Sequence, residues 1–217
     1  MNNLRTLGPL TFLTALTLLT SLTSLSAQLT CDPVFPKTDD NVSIYYDASK
    51  GNAALAGVSP EWAHLGVITT LSTGPSDWKH VATTWPTNNA AAMMTLVSGN
   101  VWKKTFNIRT FFNIPAGETV LKLACVFRNA AGTIVGRSAD GGDMFIDLYA
   151  AGLNAKFSAP EGNQLIQAGA TVNFSATASL SAAMELKING TSKATATGTT
   201  LTYSQAFPST GDYECIL

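Results

Sequence analysis

Trp78 and Trp85 stand in a polar, turn-rich stretch that begins Ser72-Thr73-Gly74-Pro75-Ser76-Asp77-Trp78-Lys79-His80. A large ring in such a loop has little core to join, so it points to contact with something outside the chain. Flat aromatic faces stack on the apolar C–H faces of sugar rings, while nearby polar groups bond the hydroxyls. Trp102 belongs to an alternating, strand-like run and reads as core, and Trp62 opens a second strand. Tyr45 and Tyr46 are adjacent, so on a strand one faces the core and the other faces out. His64 lies between Trp62 and Leu65 and reads as a satisfied strand histidine. His80 reads as a solvated loop residue. Tyr45, Tyr46, Trp78 and Trp85 are the aromatic candidates for carbohydrate contact.

Catalytic sets are scarce. The chain has two histidines, no G-x-S-x-G nucleophile turn, and no His pair at metal-ligand spacing. No Gly-rich phosphate loop leads from a strand into a helix. Glu61, Asp77, Glu118, Asp140 and Asp143 supply carboxyl groups, yet nothing in their spacing sets two of them across one groove, as glycoside hydrolysis demands. Asp140-Gly141-Gly142-Asp143, with Asp147, offers oxygens for calcium, but the ligand ladder is incomplete and the run also suits a hairpin turn. Asp140 and Asp143 are therefore the calcium candidates, and no other cofactor is indicated. The expectation is a chain without a catalytic centre of its own.

The elements that hold these residues read as short β-strands separated by turns, and no long run has helical spacing. Strands are predicted over 42–46, 62–68, 101–108, 120–128, 134–137 and 143–149. Ala53–Leu55 and Ala90–Met94 read as helical turns. Composition shifts at Ala150-Ala151-Gly152, after which Ala, Ser and Thr rise. Further strands are predicted over 153–157, 171–176, 184–188, 201–207 and 213–217, with Asn189-Gly190 as a two-residue hairpin turn. Tyr213 stands two residues before Cys215, as in the late strand of an immunoglobulin-type sandwich. The fold class expected is all-β: two tandem sandwich modules, 28–149 and 150–217. The second module reads as truncated, because its last strand wants one more neighbour.

The formal net charge is −1, with 13 basic and 14 acidic residues, so there is no basic footprint for nucleic acid or anionic lipid. Residues 1–27 read as a signal peptide: Arg5, an apolar stretch from Leu7 to Leu22, then Ser24-Leu25-Ser26-Ala27 before the cut. A secreted or cell-surface chain with no membrane span after cleavage follows. Cys31, Cys125 and Cys215 are an odd number and match no metal spacing. Cys125 reads as a buried small hydrophobe, and Cys31 as a site for lipid attachment in a lipoprotein alternative.

An ordered set of runs adds a family resemblance. Asn41-Val42-Ser43-Ile44-Tyr45-Tyr46-Asp47, Ala63 through Ile68, Asp77-Trp78-Lys79, Leu121 through Asn129, and Gly136-Arg137 through Asp147 are the runs that carry it. Together they resemble the N-terminal β-sandwich modules of secreted starch-active proteins of Bacteroidetes-type bacteria, alpha-amylase-class enzymes included. The resemblance covers about residues 33–149. It implies that Tyr45 or Tyr46, His64 and Trp78 meet glucan, and that the parent protein is a glycoside hydrolase whose catalytic barrel lies elsewhere. The loop between Asp47 and Trp62 is longer and richer in Ala and Gly than the pattern. The region after Gly152 resembles an immunoglobulin-like spacer. The function expected is a monomeric, non-catalytic accessory module binding polysaccharide, α-glucan above all. The alternative is a cell-surface adhesion or glycan-capture protein built from tandem sandwiches.

Overall fold

A computed structural model describes residues 27–217. The targeting segment read over residues 1–27 lies, except for Ala27, outside the described residues. Within them the chain is all-β. Strands β1 (Leu29–Asp32), β2 (Asn41–Asp47), β3 (Glu61–Thr69), β4 (Thr95–Ser98), β5 (Val101–Asn107), β6 (Val120–Asn129), β7 (Val135–Gly136) and β8 (Met144–Asp147) form two antiparallel sheets. One sheet runs β1-β2-β5-β4. The other runs β3-β6-β7, with β8 also paired to β6.

Alternation explains the packing. Val42, Ile44 and Tyr46 share one side of β2, Ala63, Leu65 and Val67 one side of β3, and Leu123, Cys125 and Phe127 one side of β6. These inward sets meet in a single hydrophobic core with Trp102, Phe106, Met144 and Ile146. Tyr46 of one sheet stacks on Phe127 of the other, with ring centroids 3.9 Å apart and planes at 11°. Tyr45, of opposite parity, points away from the core.

A separate core gathers around β9 (Ala155–Ala159), β10 (Thr171–Ile188), β11 (Thr191–Ala206) and β12 (Cys215–Ile216), and includes Phe174, Leu186, Ile188 and Leu201. The runs predicted as two strands, 171–176 and 184–188, are one long strand whose register shifts between Thr177 and Ala182. The irregularity spares the chain a loop there. The Asn189-Gly190 turn takes φ of 49° and 74°, the left-handed pair that a tight hairpin needs. The Tyr213 hydroxyl donates to the Ser209 carbonyl at 3.2 Å, the back-reach of a corner tyrosine.

Ala53–Leu55 is a series of hydrogen-bonded turns rather than a helix, and its Leu55 is fully buried. Ala90–Ala92 is a 3₁₀ turn capped by the Asn89 side chain, and it gives way to β4. Among the described residues the one α-helical turn is α1 (Ile108–Phe111), which the sequence pattern does not predict; Asn107 caps it by accepting from the Thr110 amide. All three thiols are free. Burial, with Asp32 adding to it, pushes the Cys31 thiol up to about 12. Cys31 pairs with Ile44 inside β1 and packs on the core. No helix among the described residues is long and apolar enough to cross a membrane.

Candidate functional site

The outward parity of β3 and β6 builds the site. Trp62 lies opposite Arg128, His64 opposite Val126, and Gly66 opposite Ala124. The segment from Thr70 to Met94 folds back along β3 instead of leaving that edge bare. Val67 and Lys79 exchange both backbone hydrogen bonds, at 3.0 and 2.7 Å, and the Ala82 amide donates to Leu65 at 3.0 Å. The Met94 amide donates to the Glu61 carbonyl at 2.9 Å. Asp77 closes the first bend: its carboxylate accepts from the Thr73 amide and from Lys79 Nζ. Those contacts, Lys79 first, hold its carboxyl down at about 2. His80 is not free in solvent. Its Nε2 lies 2.9 Å from a Glu118 oxygen, which ties the segment to the turn before β6.

This fold-back brings Trp78 down onto β3 where there is no side chain. A Cβ at Gly66 would stand 3.0 Å from Trp78 Cε3 and 3.2 Å from Val81 Cγ2. Glycine inside a strand is the sequence mark of such a close approach. Gly66→Val is therefore expected to lift the indole and cost about 1–3 kcal/mol of stability, the usual range for overpacking. Urea unfolding checks it, and an unchanged midpoint would contradict the contact.

His64 sits between the two loop rings. Its ring centroid is 5.8 Å from that of Trp78 at 27°, and 5.2 Å from that of Trp85 at 86°. His64 Nδ1 is 2.8 Å from Thr83 Oγ1. Burial, and then the Arg128 charge, push its pKa down, while Asp143 pulls it up. The imidazole is thus neutral at pH 7 and serves as a hydrogen-bonding plate rather than a charge.

Arg128 is the support behind this wall. Its guanidinium lies 5.7 Å from the Trp62 ring and 5.4 Å from the Trp85 ring. It donates to the Thr87, Asn129 and Ala130 carbonyls and to Asn88 Oδ1. Gly132, with φ +70°, lets the 129–132 turn approach the back of Trp85: a Cβ there would be 2.6 Å from Pro86 Cβ and 3.2 Å from the indole nitrogen. The result is a shallow, open cleft of about 300 Å³ lined by His64, Ser76, Trp78, Trp85, Val126, Arg137 and Asp143. Residues 29–135 match the model of a domain of unknown function (DUF8578). That stretch includes both cleft tryptophans, His64 and Arg128, and ends before Arg137 and Asp143. No curated protein matches the chain.

Of the five candidate contacts, His64, Trp78 and Trp85 converge here. Tyr46 does not: it is 0% exposed and stacked in the core, so nothing in solvent reaches it. Tyr45 lies on the outer face of the other sheet, with Lys103 Nζ 5.4 Å from its ring centroid. Asp140 and Asp143, the calcium candidates, are both engaged within their own turn. Asp140 accepts from Ser138 and the Gly142 amide, closing a turn, while Asp143 pairs with Arg137. Among the described residues no three His, Cys, Asp or Glu side chains cluster as metal ligands. Gly66, Arg128 and Arg137 escaped the sequence reading. The glycine within a strand was a legible signal for the first; for Arg128 the Thr87 and Asn88 acceptors lie some 40 residues away, and for Arg137 only the fold shows that its pair with the nearby Asp143 faces the cleft.

Proposed function

We propose that the chain binds carbohydrate without transforming it, as a secreted accessory module of a polysaccharide-degrading protein. One observation carries this reading: Trp78 and Trp85 flank His64 in an open cleft whose rim offers Ser76, Arg137 and Asp143. Apolar plates with a few convergent polar groups are what a sugar ring needs. The plates are also fixed in advance, by Gly66 under Trp78 and Arg128 behind Trp85, so little ordering cost falls on the ligand. An α-glucan is the first partner to try, on the resemblance to starch-active modules.

Affinity electrophoresis in gels containing soluble starch, β-glucan, xylan or mannan tests the proposal. The wild-type protein is expected to be retarded in at least one gel. Trp78→Ala and Trp85→Ala are each expected to weaken that binding by about 30-fold or more, the usual loss of about 2 kcal/mol or more for a truncated aromatic anchor. Unretarded migration in every gel, identical to that of Trp78→Ala, overturns it.

A further inference from the structure

We infer that the cleft takes a neutral sugar, and that the Arg137–Asp143 pair reads two adjacent hydroxyls on it. The inference rests on the carbohydrate reading of the site and adds the class of sugar and the residues that select it.

Charge excludes the alternatives from both sides. An anionic sugar, such as a uronate, meets the Asp143 carboxylate in the cleft lining. The one cation in that lining, Arg137, is already joined to Asp143. Arg128 gives no help, because it is 2% exposed and its hydrogens are turned to Thr87, Asn88, Asn129 and Ala130. His64 is held neutral by burial and by that same arginine. A cationic ligand fares no better. Cations bind over ring faces, but the Trp85 ring already has Arg128 beside it, and Arg137 guards the rim. A neutral ligand rich in hydroxyls remains.

The pair has the chemistry for such a ligand. A guanidinium presents a planar fork of donors, and a carboxylate presents two acceptors beside it. Neighbouring hydroxyls on one ring can each accept from the first and donate to the second. Both members keep part of their surface open, with the Arg137 side chain 38% and the Asp143 side chain 24% exposed. Both are also held from behind. The Arg137 amide donates to Asn52 Oδ1, and its carbonyl accepts from the Asn52 amide and from Gln28 Nε2. Asp143 follows a turn closed by the Ser138 amide donating to the Gly142 carbonyl at 3.2 Å. Preorganised pairs of this kind lose little freedom when a ligand arrives.

The test is calorimetric titration of the full chain with malto-, cello-, xylo- and manno-hexaose and with tetragalacturonate. Wild-type protein, Arg137→Met, Asp143→Asn and Trp78→Ala are compared, and thermal melts control for folding. At least one neutral hexaose is expected to bind, and tetragalacturonate is not. Arg137→Met and the isosteric Asp143→Asn are each expected to weaken binding at least tenfold with an unshifted melt. Equal binding by Asp143→Asn and wild type overturns the inference and leaves the carbohydrate reading standing. So does a preference for tetragalacturonate. Failure of every oligosaccharide to bind wild type, with Trp78→Ala indistinguishable, overturns both.

Discussion

Raising the pH from about 5 to about 9 is expected to remove on the order of 4 kcal/mol of stability, and Glu61→Gln is expected to remove most of that dependence. Glu61 opens β3 with the same parity as Ala63, Leu65 and Val67, so its side chain enters the core. It is 0% exposed, and neither carboxyl oxygen has a hydrogen-bond partner. The Tyr46 hydroxyl lies nearby, beside the Gln28 side chain, whose nitrogen donates to the Lys50 and Arg137 carbonyls, and the hydroxyl offers Glu61 no hydrogen bond. Burial raises the Glu61 carboxyl from 4.5 to about 8. The sign follows. Below the unfolded value both states hold the proton and stability is complete. Between that value and about 8 the unfolded chain ionises first, so stability falls as pH rises. Above about 8 the folded protein carries a buried, unpaired charge and the loss is full. Urea unfolding of wild type and Glu61→Gln at several pH values isolates this group, because all others titrate alike in both proteins. Parallel stability curves across the range would refute it.

The same alternation that made the fold legible also held the clue to Glu61. Reading β3 from Trp62 put its boundary one residue late and left the acid outside the strand. Extending the run by one residue places it with Ala63 and Leu65, facing in. β2 was visible by its period-two pattern, and β3 and β6 by long apolar runs that are buried on both sides. β1 and β4 were not, since four-residue strands are too short to show a period. For the site, loop tryptophans could be singled out because their sequence surroundings are polar. Tyr46 could have been told from Tyr45, because it shares the parity of Val42 and Ile44, the apolar side of β2. Arg128 ends an apolar run, where a charged residue reads as the start of a turn. Its burial is decided by Trp62 across the strand and by the 85–90 loop, neither of which is near in sequence.

That arginine carries the other large expected effect. Arg128→Met is expected to cost about 2–3 kcal/mol, because the change strips four oxygens, on the exposed Thr87 and Asn88 and the half-buried Asn129 and Ala130, of their one charged donor. The four come from two segments, Thr87 and Asn88 on one side and Asn129 and Ala130 on the other. Methionine can fill the space between Trp62 and Trp85 but cannot hold the loop to the turn. Arg128→Lys separates charge from shape. Its single ammonium keeps the positive charge near both rings, yet it cannot span acceptors placed around a planar fork. It is expected to recover less than half of the lost stability. Both variants should also shift tryptophan emission to longer wavelength, since Trp85 loses the partner that backs it and moves toward water. Urea unfolding gives the first quantity and emission spectra the second. An Arg128→Lys protein with wild-type stability and emission would mean that charge alone, and not the fork, holds the cleft wall in place.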